Sequence, residues 1–152
     1  MAEYLTKEKF EELKVELQEL STKRRSEIAE RLEYAKSLGD LSENAEYSEA
    51  RDEQAKVEER IRHLGEVIKR AEIISTHDTS KVTMGSSVTI TEAASKTKSI
   101  FKIVGSEEAN FVEKKLSNKS PLGVSLMNKV VGDVVSVHTP SGDKDYKISK
   151  ID

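Results

Sequence analysis

The strongest constraint on the fold comes from two stripes of mostly apolar residues in the first half of the chain. Within each stripe the intervals alternate between three and four residues, except for one break between Leu20 and Ile28. This spacing is typical of helices that pack along a narrow seam, whereas a strand would place apolar residues at every second position. The sequence therefore predicts two long helices. The first stripe is Phe10, Leu13, Leu17, Leu20, Ile28, Leu32 and Ala35, and the second is Tyr47, Ala50, Gln54, Val57, Ile61, Leu64, Ile68 and Ala71.

The two stripes can be paired, because facing residues of an antiparallel hairpin have residue numbers with a constant sum. The numbers of Leu13 and Ile68 sum to 81, and those of Ile28 and Gln54 sum to 82. One register therefore serves the whole length, with a slip of one residue near Arg24, as a stutter would produce. We predict an antiparallel coiled-coil hairpin.

The same register places the turn of the hairpin at Asp40–Leu41. Gly39 precedes the turn, and glycine is suited to ending a helix because it adopts backbone conformations that other residues avoid. Thr6 can cap the first helix, and the second helix is predicted to start from Ser42 as its cap. Each helix would span about 33 residues, or roughly 50 Å.

The composition favours a free-standing hairpin over two helices packed on a globular core. Hydrophobic residues make up only 36% of the chain and charged residues 35%, which indicates a thin core and a large wetted surface. The chain contains no Cys and no Trp. Disulfides and thiolate metal sites are thereby excluded, and aromatic platforms for stacking bases are not expected.

Charge and targeting signals indicate the class of partner. Residues 1–74 hold 14 Lys and Arg against 19 Asp and Glu, and residues 75–152 hold 11 against 9. A protein that binds nucleic acid in bulk would be more basic, so a partner protein is the better prediction. The N-terminus has no apolar signal-peptide core, and no stretch could span a bilayer. We expect a soluble, cytoplasmic protein with no membrane partner.

A change of composition near Ile74 indicates a second domain. Ser, Thr, Val and Gly become frequent from there, and both prolines of the chain lie in this part. Such a composition is typical of strands and turns. Pro121 can open a short helix through Met127 with Ser120 as its cap. Strands are predicted at Ser87–Thr91, Ser99–Val104, Asp133–His138 and Lys144–Ile151.

The predicted fold is therefore α+β with two domains. The hairpin occupies residues 1–74, with its acidic tip at residues 39–47. A linker follows at 75–81, and a small antiparallel β-sheet domain with a short helix occupies 82–152.

The tip carries two carboxylates that can act together. Asp40 and Glu43 are three residues apart, around a turn that leads into a helix, so both can point outward. Hard oxygen donors suit Mg²⁺, which binds through one or two carboxylates and keeps several waters. Two ligands alone would hold the ion weakly, so another macromolecule would have to supply the rest. The alternative is that these residues only cap the helix and favour its dipole, as Glu46 can do.

Several segments of the chain match signatures of one known family, in the right order and over essentially its whole length. They are Lys23-Arg24-Arg25-Ser26-Glu27-Ile28, the tip Gly39-Asp40-Leu41-Ser42-Glu43-Asn44-Ala45-Glu46-Tyr47, Ile103-Val104-Gly105-Ser106-Glu107-Glu108-Ala109, Ser120-Pro121-Leu122-Gly123, Val131-Gly132-Asp133-Val134-Val135 and Thr139-Pro140-Ser141-Gly142. The tip matches nearly residue for residue. On these segments the chain resembles the Gre family of bacterial transcript-cleavage factors.

The resemblance implies a mode of action. The C-terminal domain would be FKBP-like and dock at the rim of the RNA polymerase secondary channel. The hairpin would reach through that channel to the active site, where a backtracked polymerase extrudes the 3′ end of the nascent RNA. Asp40 and Glu43 match the acidic pair that helps hold the second Mg²⁺ and orient the attacking water. The chain would then be no enzyme itself, because the polymerase performs the cleavage, and it would hold no Mg²⁺ stably alone.

The resemblance also suggests contact residues. Lys36 and Arg51 flank the tip and could steer the extruded RNA, and Arg24 and Arg25 lie further back along the first helix. The alternative is an ordinary solvated charged face. Tyr47 is a candidate for polymerase contact, although its place in the stripe opposite Ala35 favours core packing. The full set of polymerase-contact candidates is Ser42, Asn44, Tyr47, Ser120 and Pro121.

Three other functions compete with this reading. A Gre-like inhibitor could plug the channel without promoting cleavage, but the intact pair of Asp40 and Glu43 argues against it. A prolyl isomerase would need an aromatic pocket, and residues 75–152 offer only Phe101, Phe111 and Tyr146. A coiled-coil chaperone would leave the tip signature unexplained and would usually need oligomers, whereas we expect a monomer.

Overall fold

The computed structural model describes residues 2–74 and 78–152. It divides the chain into two compact units, a helical hairpin over Phe10–Arg70 and a sheet unit that combines the residues up to Lys9 with those from Ala71 onward. The predicted fold class, a helical hairpin and a small sheet domain with a short helix, is confirmed. The sequence placed the division at residue 74 and a linker at 75–81. The structure assigns residues 2–9 and 71–74 to the sheet unit instead, and residues 75–77 of the predicted linker lie outside the described residues.

The hairpin is built from helices α1 (Lys7–Glu19), α2 (Arg25–Ser37) and α3 (Ala45–Arg70). As predicted, Thr6 caps α1, because its Oγ accepts a hydrogen bond from the Lys9 N–H at 3.2 Å. In the described ranges, no helix combines the length and the apolar character that crossing a membrane requires.

A π-helical turn over Leu20–Arg24 joins α1 to α2. Such a turn inserts one extra residue into an α-helix without interrupting it. One extra residue in the first helix changes the sum of facing residue numbers from 81 to 82, which is the slip predicted near Arg24. The position of the slip is confirmed. Its cause is a single inserted residue rather than the four-residue insertion of a stutter.

Six residues of the predicted stripes are buried in the seam between the helices, and others, such as Leu17 and Leu20, are half-buried. Leu64 is fully buried and Leu13 is 2% exposed. Val67 is also buried, although the stripe assigned that turn to Ile68, which is half-buried. Adjacent positions lie 100° apart around a helix, so both can share one edge of a seam. The buried residues of the hairpin are Leu13, Ile28, Ala35, Ala50, Val57, Leu64 and Val67.

Ion pairs between the helices flank this seam. Arg60 donates two hydrogen bonds to the Glu16 carboxylate, at 2.9 and 3.1 Å. Arg25 donates two to Glu58, both at 2.8 Å. Solvent screens ion pairs of this kind, so each adds little to stability. They nevertheless show that the helices run antiparallel, because the partner in α3 changes from Arg60 to Glu58 as the chain goes from Glu16 to Arg25.

The sheet unit contains a five-stranded sheet of β3 (Ser87–Glu92), β4 (Lys98–Val104), β5 (Lys115–Ser117), β6 (Val134–Thr139) and β7 (Gly142–Ile151). Its strands lie in the order β5-β4-β3-β7-β6. The four predicted strands are present, and β5 was not predicted. Because β5 runs parallel to β4, the sheet is mixed, whereas an antiparallel sheet was expected. A three-residue strand is too short to show an alternating pattern, so its pairing could not be anticipated.

Helix α4 (Pro121–Leu126) closes the core of this unit, with Leu126 fully buried. The predicted cap is confirmed, because Ser120 Oγ accepts a hydrogen bond from the Gly123 N–H at 3.1 Å. The core consists of Val82, Val88, Ile90, Phe101, Ile103, Leu116, Leu126, Val135, Ile148 and Ile151.

Two short strands tie both ends of the hairpin sequence into the sheet unit. Strand β1 (Glu3–Leu5) pairs in parallel with β2 (Ala71–Ile73). Leu5 is fully buried, and its carbonyl oxygen accepts a hydrogen bond from the Ile74 N–H at 2.8 Å. These contacts explain why the division between the units falls before Ala71 rather than at residue 74.

Candidate functional site

The tip of the hairpin begins where α2 unwinds. The N–H of Leu38 reaches back to the Ala35 carbonyl at 3.1 Å, and Gly39 follows with φ +126°. Residues with a Cβ rarely adopt that conformation, so glycine is the residue that this turn requires. A short 3₁₀ turn, Leu41–Glu43, then leads towards α3. The predicted turn at Asp40–Leu41 is confirmed.

Asn44 closes the tip with both ends of its side chain. Its Oδ1 accepts a hydrogen bond from the Tyr47 N–H at 3.1 Å and so caps α3. Its Nδ2 donates to the Ala35 carbonyl of α2 at 2.6 Å. The prediction that Ser42 caps the second helix is wrong, because α3 begins three residues later, at Ala45. A side-chain amide can accept from one helix and donate to the other, which a hydroxyl cannot do at this span.

Asp40 is exposed and is held by its own turn. Its Oδ1 accepts hydrogen bonds from the Ser42 N–H at 3.0 Å and from the Ser42 hydroxyl at 2.9 Å. These bonds, the backbone one first, hold the pKa of the Asp40 carboxyl below its usual range. The carboxylate is therefore ionised at neutral pH and fixed in direction.

Glu43 ends the 3₁₀ turn and is also exposed. Within the described residues, its carboxylate accepts no hydrogen bond and forms no ion pair. Asp40 and Glu43 together present hard oxygen donors to solvent, which fits one side of a Mg²⁺ site. They supply fewer than the six ligands that Mg²⁺ takes, so any site here has to be completed by another molecule.

The structure separates the basic candidates for RNA contact into two groups. Arg24 is paired with Glu27 at 3.1 Å and also with Glu53 across the hairpin. Arg25 is paired with Glu58, which raises the pKa of Arg25. Lys36 and Arg51 are exposed, and among the described residues neither forms an ion pair. Of these four residues, Lys36 and Arg51 are therefore the cations near the tip that remain available to bind a partner.

The tip also carries apolar side chains that the sequence did not single out. Tyr34 is 63% exposed and Leu38 55%, and Leu41 is exposed beside the acidic pair. Tyr47 is half-buried, in keeping with its place in the stripe. The signal for the first two was available, because both lie outside the predicted seam.

Of the two candidates for polymerase contact in the sheet unit, one is engaged within the chain. The Ser120 hydroxyl caps α4 and donates to the Ser117 carbonyl at 2.7 Å. Pro121 is exposed at the first turn of α4. A partner at this point would therefore meet the Pro121 ring.

Comparison with known proteins identifies relatives along the whole chain. A family model described as "Transcription elongation factor, N-terminal" matches residues 3–73. A second, "Transcription elongation factor, GreA/GreB, C-term", matches residues 77–152. Transcription elongation factor GreA of Oceanobacillus iheyensis is 42% identical over 98% of this chain and 96% of its own. GreA of Thermotoga maritima is 44% identical over 95% and 93%, and GreA of Streptococcus sanguinis 44% over 97% and 94%.

Solved structures are also similar to this chain over nearly its full length. The GreA factor homolog 1 (Gfh1) of Thermus thermophilus is 27% identical and covers 100% of this chain and 99% of its own, with a TM-score of 0.44. A GreA/GreB elongation factor of Nitrosomonas europaea is 18% identical over 98% of each chain, also with a TM-score of 0.44.

Proposed function

This chain belongs to the GreA/GreB family of transcription elongation factors, and from that premise we propose that it promotes cleavage of backtracked RNA inside bacterial RNA polymerase. In this proposal the hairpin enters the secondary channel, and the tip reaches the polymerase active site. The polymerase then cuts its own transcript, and a new RNA 3′ end lies in register.

The observation that supports this proposal best is the exposed acidic pair at the end of the hairpin. Asp40 is held by two hydrogen bonds from Ser42, and Glu43 projects from the adjoining 3₁₀ turn. The rest of the turn is fixed by Gly39 and by the bridging side chain of Asn44. Charges that are oriented before the reaction stabilise a transition state without the cost of reorganising them.

The acidic pair would act on a Mg²⁺ ion shared with the polymerase. A second Mg²⁺ in such a centre lowers the pKa of a bound water and stabilises charge on the scissile phosphate. Asp40 and Glu43 would each present a carboxylate oxygen to that ion from the side of the channel. The fixed direction of the Asp40 carboxylate would let it orient the attacking water as well.

Lys36 and Arg51 would guide the extruded RNA to the acidic pair. Both are exposed beside the tip, and their charge is not neutralised by an ion pair with another described residue. Cations in this position attract the phosphate backbone without reading its sequence. Arg24 and Arg25 are less suited to this role, because cross-hairpin carboxylates already hold them.

The sheet unit would dock on the rim of the channel, with the exposed Pro121 as one contact. The factor would act as a single copy and have no nuclease activity alone, because its tip lacks the remaining metal ligands. It would be located in the cytoplasm, together with RNA polymerase.

The experiment uses a stalled and backtracked bacterial elongation complex whose RNA is labelled at the 3′ end. Release of short 3′ fragments is followed in Mg²⁺ with the wild type, Asp40→Asn or Glu43→Gln. We expect each variant to lower the stimulated rate by about 10²–10³-fold, the size of effect seen when an active site loses one preorganised hydrogen-bond donor. Glu46→Gln, which removes an exposed charge from the first turn of α3, is the matched control and should cleave like the wild type.

Other outcomes assign other functions. If the wild type slows elongation and releases no fragment, the chain is a channel inhibitor. If Asp40→Asn and Glu43→Gln both cleave at the wild-type rate, the acidic pair has no part in the reaction. If the wild type has no effect of either kind, the proposed function fails as a whole.

A further inference from the structure

A buried carboxylate far along the sequence from the tip has no role in the proposed mechanism. Glu108 lies in the loop after β4 and is only 7% exposed. An ionised carboxylate is costly to bury unless charges and hydrogen-bond donors surround it. The residues that surround the Glu108 carboxylate therefore indicate its role.

Most of the hydrogen bonds to Glu108 come from one residue near the N-terminus. The Thr6 N–H donates to Oε1 at 3.1 Å, and the Thr6 hydroxyl lies 3.0 Å from Oε1 and 3.1 Å from Oε2. Lys115 places its Nζ 3.6 Å from Oε2 and partly neutralises the charge. The carboxylate thus holds the backbone and the side chain of Thr6 at once.

The neighbouring glycine brings the two segments together. A Cβ at Gly105 would lie 2.0 Å from the carbonyl oxygen of Tyr4, so only glycine allows strand β1 to approach this loop. Leu5, the residue between Tyr4 and Thr6, is fully buried. The N-terminal strand is therefore fixed to the loop at Gly105 and at Glu108.

Thr6 also connects this loop to helix α1. Its hydroxyl oxygen, which donates to Glu108, also accepts the hydrogen bond from the Lys9 N–H that caps α1. Helix α1 then continues through the π-turn into α2 as far as Ser37. The chain from the cap to the start of the tip is one uninterrupted helical segment.

We propose that Glu108 is a positioning residue for RNA cleavage, which acts through Thr6 to fix the first turn of α1 on the sheet unit. This inference rests on the proposed function. In this proposal the carboxylate takes no part in the chemistry, and its role is to hold the first turn of α1.

The length of the helical segment explains why a contact at the root matters at the tip. The segment from Thr6 to Ser37 measures about 45 Å at 1.5 Å per residue. A tilt of about 5° at the root would move its far end by about 4 Å at that length. A misplacement of about 1 Å can already lower a catalysed rate about 100-fold.

The test compares full-length variants in the cleavage reaction described above. Glu108→Gln keeps the shape of the side chain but turns one acceptor into a donor, and Thr6→Val removes the hydroxyl. Thr6→Ser keeps both hydrogen bonds and should restore wild-type behaviour. Glu113→Gln is the matched control, because Glu113 pairs with the same Lys115 at 3.6 Å but is exposed and does not contact Thr6.

We expect Glu108→Gln and Thr6→Val to lower the maximal cleavage rate at saturating factor by about 10- to 100-fold. The factor concentration for half-maximal stimulation should stay within about threefold of the wild type, because the docking surface is intact. A residue that serves only stability or docking would change that concentration instead. Hydrogen exchange at the Lys9 amide, measured without polymerase, should be about tenfold faster in both variants.

A wild-type maximal rate in both Glu108→Gln and Thr6→Val would overturn the inference, as would a change confined to the half-maximal concentration. If Glu108→Gln does not fold, Thr6→Val against Thr6→Ser decides the matter. Should the wild type itself fail to stimulate cleavage, the proposed function falls. Faster Lys9 exchange in the variants would then show that the anchor exists without a role in cleavage.

Discussion

At the scale of single residues, the tip shows how a short turn sets the charge of one carboxylate. The Ser42 N–H and hydroxyl both donate to Asp40, and both bonds favour the ionised form. A carboxyl whose pKa is lowered by folding adds stability above its ordinary pKa. That contribution is lost as the pH falls through the lowered pKa of the folded state. The turn is therefore expected to be intact throughout the neutral range and to loosen only in strong acid.

Ser42→Ala should raise the pKa of Asp40 only part of the way to its usual range. The substitution removes the hydroxyl bond and leaves the backbone N–H, which is the larger cause of the shift. The measurement is a pH titration of the Asp40 carboxyl carbon by NMR, with Ser48→Ala on the exposed face of α3 as control. An unaltered Asp40 pKa in Ser42→Ala would refute this account of the turn.

At the scale of elements, the π-turn keeps the two halves of the first helix in contact with α3. Leu20 and Ile28 are eight residues apart, one more than two turns of a regular seam provide. The π-turn over Leu20–Arg24 takes up the extra residue, so that Ile28 remains 2% exposed. Without it, every seam position between the turn and the tip would rotate by about 100°.

Deletion of Thr22 should therefore be tolerated. It removes one residue from the π-turn and leaves a plain α-helix in a single register, so the melting temperature should stay within a few degrees of the wild type. The deletion also removes one exposed hydrogen bond, which Thr22 Oγ donates to the Gln18 carbonyl at 2.7 Å.

Deletion of Glu30 is the matched control for Thr22, because it also removes one exposed residue from the first half of the hairpin. No π-turn lies there to absorb the change, so either Ile28 or Leu32 and Ala35 must leave the seam. The loss should be about 2–5 kcal/mol, as for truncation of a buried aliphatic residue. Equal melting curves for the two deletions would contradict the role assigned to the π-turn.

At the scale of the whole molecule, the sheet unit is built from both sides of the hairpin sequence. Strand β1 and Thr6 precede the hairpin, and β2 follows it, yet both pack within the same unit. The apolar core itself lies entirely between Val82 and Ile151. A fragment that starts after the hairpin can therefore fold, but it leaves Gly105 and Glu108 without their N-terminal partners.

Replacement of residues 10–70 by a flexible linker of about 12 Gly and Ser residues should give a folded sheet unit. Such a linker reaches about 20 Å, long enough to join Lys9 to Ala71 without strain. Its unfolding free energy should exceed that of the fragment 71–152 by about 1–3 kcal/mol, because Glu108 regains its donors. Denaturant unfolding of the two proteins is the measurement. Equal stabilities would show that residues 2–9 add nothing to the unit.

The sequence by itself determined the features that depend on local periodicity. The three-and-four spacing identified the hairpin, its register and the slip near Arg24, because a helix places residues on one face by their spacing alone. Caps at Thr6 and Ser120 were predicted for the same reason, since each cap bonds to a group three residues away. The acidic pair followed from its motif and from its position at the turn.

Only the tertiary structure decided what depends on contacts between distant segments. The parallel pairs β1–β2 and β4–β5 join three-residue strands, which carry no periodic signal of their own. Asn44 replaced Ser42 as the cap because it also bonds to α2, a partner that no local pattern could supply. Glu108 reads in the sequence as one of two adjacent surface acids. Its burial is compensated by Thr6, 102 residues away, whose backbone N–H and hydroxyl both donate to the carboxylate.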